Sequence, residues 1–229
     1  RAAMRRILRI GLPGGFDVWT VLLCHLVYAG IINSLGTMAQ AAHGLGLQIE
    51  ALSYLPGSAF SVAAATLAGQ SLGAQNNQRA GRGVLLCIAA AVAIMTAAGV
   101  ALYLGGEAIG TFFLGQRNET AILVGQLLKV VSLSCPFLAA LSVIVGALRG
   151  AGDTRFTLFI TLLGLVGVRI PGACLLAWSS VSVPVLDLVL PAAGLGVVGA
   201  WWAMVADVVL RSLLVAARFA HGGWQKAQI

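Results

Sequence analysis

Charge is what this chain has least of. Only 9% of its 229 residues are Asp, Glu, Lys or Arg, against 59% hydrophobic, and mean hydropathy is +0.97. Too few polar side chains remain to surface a water-soluble fold, so a soluble domain is excluded. Acidic residues are the scarcer sign, 7 against 14 basic ones, which gives a formal charge of +7. A basic balance can mark a phosphate-binding surface, but the positions of the arginines, described below, argue against nucleic acid as a partner. Cysteine is also sparse. Cys24, Cys87, Cys135 and Cys174 each fall inside an apolar block with no paired spacing, which suits neither a disulfide framework nor a zinc site and leaves them as packing residues. Catalytic patterns are missing too. His25, His43 and His221 are far apart, no His-Glu-x-x-His occurs, and no Ser-His-Asp set lies within adjacent turns, so nothing points to an enzyme or a bound cofactor. The glycine-rich turn Gly150–Thr154 lacks the Lys-Ser/Thr ending of a phosphate loop and follows an apolar helix rather than a strand. No secretory signal is visible. The chain opens at Arg1 with a basic amphipathic run over residues 1–10 that leads straight into apolar sequence, which reads as the middle of a longer protein.

What is abundant is apolar sequence in blocks of membrane-spanning length. A hydrocarbon core of roughly 30 Å takes about 20 helical residues at 1.5 Å rise. Six blocks meet that length, at residues 16–32, 45–69, 84–104, 121–148, 156–178 and 195–217. They are continuously apolar and rich in Leu, Ala and Gly, whereas barrel strands alternate over about ten residues, so strands are not expected. The predicted fold is an all-α polytopic membrane bundle of six transmembrane helices, one lobe over residues 1–229.

The basic residues sort by side. Arg1, Arg5, Arg6 and Arg9 precede the first span, Arg79 and Arg82 follow the second, Arg149 and Arg155 bracket the turn after the fourth, and Arg218 and Lys226 follow the sixth. All lie on one face of a six-span weave. The opposite turns hold no basic residue over 33–40, Arg117 against Glu107 and Glu119 over 105–119, and only Asp187 over 179–194. The positive-inside rule then places both chain ends in the cytoplasm of an inner or plasma membrane.

Three prolines fall well inside spans, Pro56, Pro136 and Pro171. Each removes a donor and frees a carbonyl one turn earlier, near Leu52, Ser132 and Gly167, so kinked helices are expected. Small residues recur at four-residue spacing in Gly69–Gly73, Gly146–Gly150 and Gly196–Ala200, which predicts close helix approach.

Charges inside spans cost roughly 2.5–3.5 kcal/mol at mid-bilayer on insertion scales, so each calls for a cavity or a partner. Asp207 and Arg211, four apart, share a helix face and can pair. Arg169 has no partner in its own helix, with Glu50 and Asp207 as candidate counter-charges. Glu50 has no basic residue within four positions, and it either plays a structural part or is the kind of carboxyl that proton coupling uses. Asp17 lies close enough to the interface to be hydrated, and Lys129 can snorkel outward. Glu50, Arg169, Asp207 and Asp17 are the candidate substrate- or ion-binding residues.

Several turns carry a recognisable pattern: Gly11–Pro13, Leu35–Gly36 followed by Ala41–His43, the Leu-Ala-Gly-Gln-Ser-Leu-Gly-Ala of Leu67–Ala74, the Leu-Arg-Gly-Ala-Gly-Asp-Thr-Arg of Leu148–Arg155, Val168–Pro171, and Gly199–Trp201 leading to Asp207 and Arg211. Over nearly its whole length the chain resembles the multidrug and toxic-compound extrusion (MATE) family. The resemblance implies a twelve-span transporter of two six-helix lobes, of which this chain is the second, its partners being the bilayer, a small-molecule substrate and the missing N-terminal lobe. It also implies export of organic, often cationic, compounds in exchange for H⁺ or Na⁺, by rocking of the lobes about a central cleft. Asp17 occupies the place where an acidic residue commonly follows the Leu-Pro of this lobe's first helix. Residues 20–25 hold no acidic residue deeper in that helix, and span four holds none, which implies that a coupling ion binds mainly in the first lobe. Alternatives are a lipid-linked-precursor or polysaccharide flippase of the same superfamily, and a non-transporting membrane scaffold subunit.

Overall fold

The structure is a computed structural model that describes the backbone of residues 2–183 and 188–226 and the side chains of residues 11–180 and 191–224. Arg1 and Asp187 lie outside the described residues, as do the side chains of Arg5, Arg6, Arg9 and Lys226. The chain is a bundle of long helices: α1 (Ala2–Asn33), α2 (Thr37–Gly73), α3 (Asn77–Leu114), α4 (Glu119–Ser132), α5 (Cys135–Gly150), α6 (Thr154–Gly164), a π-helical turn (Leu165–Arg169), α7 (Ile170–Ala177) and α8 (Gly196–Ala220). A short 3₁₀ turn, Gly223–Lys226, follows α8. Among the described residues five helical stretches can, by length and composition, cross a membrane: residues 11–33, α2, α3, residues 154–177 and α8. The α4/α5 pair, bent by 55° at its break, makes a sixth if counted as one span.

Side-chain caps set the starts of α3 and α4, ahead of the apolar blocks those helices contain. Asn76 caps α3 by accepting the Arg79 N–H at 2.9 Å, and Asn118 caps α4 by accepting the Ala121 N–H at 2.8 Å. Gly36, at φ +101°, makes the reversal before α2, a conformation other residues rarely adopt. With 37 and 38 residues, α2 and α3 are each about 55 Å long and must project past a bilayer core.

Two features lie outside the six apolar blocks. Among the described residues a two-stranded antiparallel hairpin, β1 (Ser180–Val183) with β2 (Leu188–Pro191), joins α7 to α8, pairing Ser180 with Pro191 and Val183 with Leu188. It sits between spans, and the Ser-Val-Ser-Val alternation of β1 is the two-residue period that a block-length reading passes over. Pro13, which the sequence places ahead of the first span, lies inside α1.

The small-residue spacing has a direct structural use. Where α2 meets α5, a Cβ at Gly146 would overlap the backbone and hydroxyl of Ser61, and one at Gly150 the backbone of Ala65, four residues on. The Ser61 hydroxyl donates to the Ser142 carbonyl at 2.8 Å across the same seam. Without a hydrophobic drive between helices in lipid, this backbone approach, with the dispersion it brings, holds the pair. Gly199 likewise lets α8 meet the Leu176 carbonyl of α7. Two apolar clusters result. One gathers α4 and α8 side chains with Ile32 and Ile49 around Trp201, and the other packs α3 and α5 around Met95, Ile144 and Leu148. Large apolar side chains such as Leu86, Leu104 and Phe112 remain on the outer faces, as lipid contact requires.

Candidate functional site

The prolines shape the helices that carry the charges. Pro136 stands just past the α4/α5 break, so the bend falls where its missing N–H leaves the Ser132 carbonyl unclaimed. Pro171 follows the π-helical turn, whose wider winding is closed by Ile170 N–H donating to the Leu165 carbonyl. Such a turn advances the helix face and often marks a functional site. Here it ends on Arg169, whose residue is only 7% exposed. Pro56 lies inside α2, which runs unbroken from Thr37 to Gly73.

Arg169 meets Asp207 of α8 across helices. Its Nη2 lies 2.9 Å and its Nε 3.0 Å from Asp207 Oδ2. Arg211, one turn along α8, donates Nε to Oδ1 at 2.7 Å and Nη2 to Oδ2 at 2.6 Å. The fully buried Asp207 carboxylate is therefore enclosed by two guanidinium groups. Space for this comes from Gly164, where a Cβ would overlap Asp207 Oδ1 and the Arg211 side chain. The expected i,i+4 pair is present, and of the two candidate counter-charges for Arg169 the structure uses Asp207. Because Asp207 accepts from both arginines, the three groups together carry one net positive charge.

A cavity of about 500 Å³ adjoins Arg169. Its walls are mostly apolar, from Trp19, Leu22 and Leu26 of α1, Leu47 of α2 and Met204 of α8. Its polar points are His25, Tyr28, His43 and Arg169. His43 Nδ1 accepts the Trp201 indole N–H at 3.1 Å, and the Arg169 guanidinium carbon stands 6.0 Å from the Tyr28 ring centre. A second cavity, about 180 Å³, is lined by Tyr54, Arg149, Thr161 and Arg211 among others. Arg169 thus faces one cavity and Arg211 the other, with Asp207 binding the two together.

Glu50 lies on the same α2 stripe as His43, Leu47 and Tyr54, spaced three or four residues apart. It is half-buried, and its carboxylate has no hydrogen-bond or ion-pair partner among the described residues. The stripe runs past both cavities, although Glu50 itself lines neither.

Asp17 corrects the reading of a hydrated interfacial residue. It is fully buried and paired with Arg149 of α5 at 2.5 Å, while its Oδ1 has no partner among the described residues. The pair links positions 132 apart, which no local spacing reveals. Asp17 lines neither of the two cavities around the Asp207 cluster. Lys129 is exposed on α4. The polar groups that sequence reasoning missed are Tyr28 and the two histidines, His25 and His43, which are distant along the chain yet line one cavity. A histidine in mid-span was the available signal.

The profile of the MatE family matches residues 13–175. A probable multidrug resistance protein NorM of Thermotoga maritima is 30% identical over 233 aligned positions, covering 100% of this chain and 46% of the relative. A NorM of Rhodopseudomonas palustris, also described as a probable multidrug resistance protein, is 30% identical over 221 positions, covering 94% and 44%. Among solved structures, the MATE transporter ClbM in complex with Rb⁺ superposes with a TM-score of 0.80 at 19% identity, over 97% of this chain and 49% of that one. At that identity the likeness establishes the fold. The chain spans about half the length of the curated relatives it matches.

Proposed function

The chain belongs to the MatE family, and from that premise we propose that it forms one lobe of a secondary antiporter, exporting organic compounds, often cationic, in exchange for H⁺ or Na⁺. It is an integral membrane chain. In this reading the missing partner is an N-terminal lobe of the same polypeptide, both ends of the present chain are cytoplasmic, and the Arg169 cavity belongs to a cleft that rocking of the lobes opens to each side in turn.

The observation that carries the proposal is Glu50. Asp17 and Asp207 are held by guanidinium groups, and Asp153 by Arg218 at 2.9 Å, so none of them is free to exchange a proton or a sodium ion without breaking an ion pair. Glu50 has no such partner among the described residues. Binding or release of a cation there changes the net charge beside Arg169 and alters the field across the cavity. One proton moving down a 100 mV potential supplies roughly 2.3 kcal/mol, enough to bias such a step before any pH gradient is added.

Transport by the intact polypeptide in sealed vesicles tests this. Wild type should accumulate an organic dye when an inward-to-outward H⁺ or Na⁺ gradient is imposed, and Glu50→Gln should bind the dye without gradient-driven accumulation. Full-rate, normally coupled movement by Glu50→Gln would refute the assignment of Glu50.

A further inference from the structure

We propose that the cavity beside Arg169 is a subsite for the carboxylate of an aromatic acid, so that the compounds handled by this lobe include organic anions. The inference rests on the reading of that cavity as part of the solute pathway.

Charge points first to an anion. Among the described residues Arg169 is the one charged side chain lining the cavity, and no carboxylate lines it. Asp207 is already shared with Arg211, so it does not neutralise the pair of guanidiniums. Arg169 directs Nε and Nη2 at Asp207, and among the described residues no acceptor takes its Nη1 hydrogens. A guanidinium presents five donors in a planar fork suited to two carboxylate oxygens. Part of that fork is still open.

Two further donors stand within reach of the same space. The Tyr28 hydroxyl is buried and has no hydrogen-bond partner among the described residues. A buried hydroxyl without a partner is a standing cost that a ligand acceptor would recover. His43 has its Nδ1 occupied by the Trp201 indole, a group that can only donate, so the neutral ring carries its proton on Nε2 and offers a third donor. The His43 and Tyr28 rings are 5.7 Å apart. Acceptors are fewer. His25 donates Nδ1–H to the Val21 carbonyl at 2.8 Å and leaves Nε2 as its acceptor. An ammonium group would find acceptors only in His25 Nε2 and the Tyr28 oxygen and would face the donors of Arg169 and His43, whereas a carboxylate, with about four lone-pair sites and no donor, can take all three donors.

The rest of the wall selects the body of the ligand. Trp19, Leu22, Leu26 and Met204 supply apolar and aromatic surface, and about 500 Å³ accommodates a one- or two-ring compound. Glu50 is the free carboxylate near enough to act on Arg169 through its field, but it does not line the cavity and does not occupy the open side of the fork.

The decisive experiment compares two probes of the same ring, 1-naphthoate and 1-naphthylmethylammonium, by titration calorimetry on the intact purified transporter. Wild type should bind naphthoate about ten-fold or more tightly than the ammonium probe. Tyr28→Phe should weaken naphthoate by about three- to ten-fold and the ammonium probe by less, so that the ratio of the two affinities falls. Arg169→Met should abolish the preference and Arg169→Lys should restore part of it; if the Met variant does not fold, Tyr28→Phe decides alone. Equal or tighter binding of the ammonium probe, no binding of either, or naphthoate affinity indifferent to Tyr28→Phe would overturn the subsite. Dye transport is scored separately. A naphthoate preference in a protein that moves no solute would uphold the subsite and defeat the transporter reading, while coupled efflux without that preference would do the reverse.

Discussion

Arg169 and Asp207, 38 positions apart in sequence, meet inside the bundle with Nη2 2.9 Å from Oδ2, and Arg211 grips the same carboxylate from the other side. A single buried anion thereby holds together two helices and two cations. Removing it leaves the guanidiniums facing each other with nothing between them.

Asp207→Asn is therefore expected to lower stability by about 3–5 kcal/mol, the scale for an uncompensated buried charge. Arg211→Met should cost less, because Asp207 keeps Arg169. Thermal denaturation in detergent checks the order, and equal midpoints for the two variants would contradict it.

The Asp17–Arg149 pair is expected to couple α1 to the end of α5. Asp17 is fully buried while the Arg149 side chain is 46% exposed, so solvent screening keeps the interaction small. A double-mutant cycle with Asp17→Asn and Arg149→Gln should return about 1–2 kcal/mol of coupling energy. Additive losses would mean that the pair does not hold α1.

Glycine replacement separates close approach from mere flexibility. Gly146→Val forces a side chain into Ser61 and should destabilise by about 1–3 kcal/mol or more. Gly73→Ala meets nothing within 4 Å and is expected to be neutral or slightly stabilising. Comparable melting losses for both would remove the α2/α5 seam as the reason for the four-residue spacing.

A hydrophobic carbodiimide reacts with accessible protonated carboxyls in a membrane. Glu50 is expected to be labelled, and Asp17 and Asp207, tied to arginines, are not. Peptide mass spectrometry gives the sites. Preferential modification of Asp207 would show that its ion pairs open readily.

Most of the architecture was legible because composition and length act locally. A block of apolar residues long enough to cross a bilayer has little choice but to be helical, since every backbone group must find its partner within the segment. The glycine spacing announced close packing without saying against what, and the answer, Ser61 and Ala65 of α2, depends on which helices become neighbours. The hairpin escaped because it lies between spans, where strand pairing is not forbidden. The candidate site was half legible. Asp207 and Arg211 share a helix face by spacing alone, and Arg169 announced its need for a partner by having none nearby. Asp17 looked interfacial on its position in sequence and proved buried, because Arg149 arrives from another helix.

By itself the sequence determined that this chain lives in a membrane, that it is built of helices, and which few charges have to be accommodated. Those are consequences of backbone hydrogen bonding and of the cost of charge in hydrocarbon, and each acts within one helix. Only the tertiary structure decided that Arg169 takes Asp207 rather than Glu50, that Glu50 is left unpartnered, and that Tyr28, His25 and His43 share a cavity. Ion pairing and hydrogen bonding act over about 3 Å, and which groups come that close is set by helix packing, which no spacing along the chain contains.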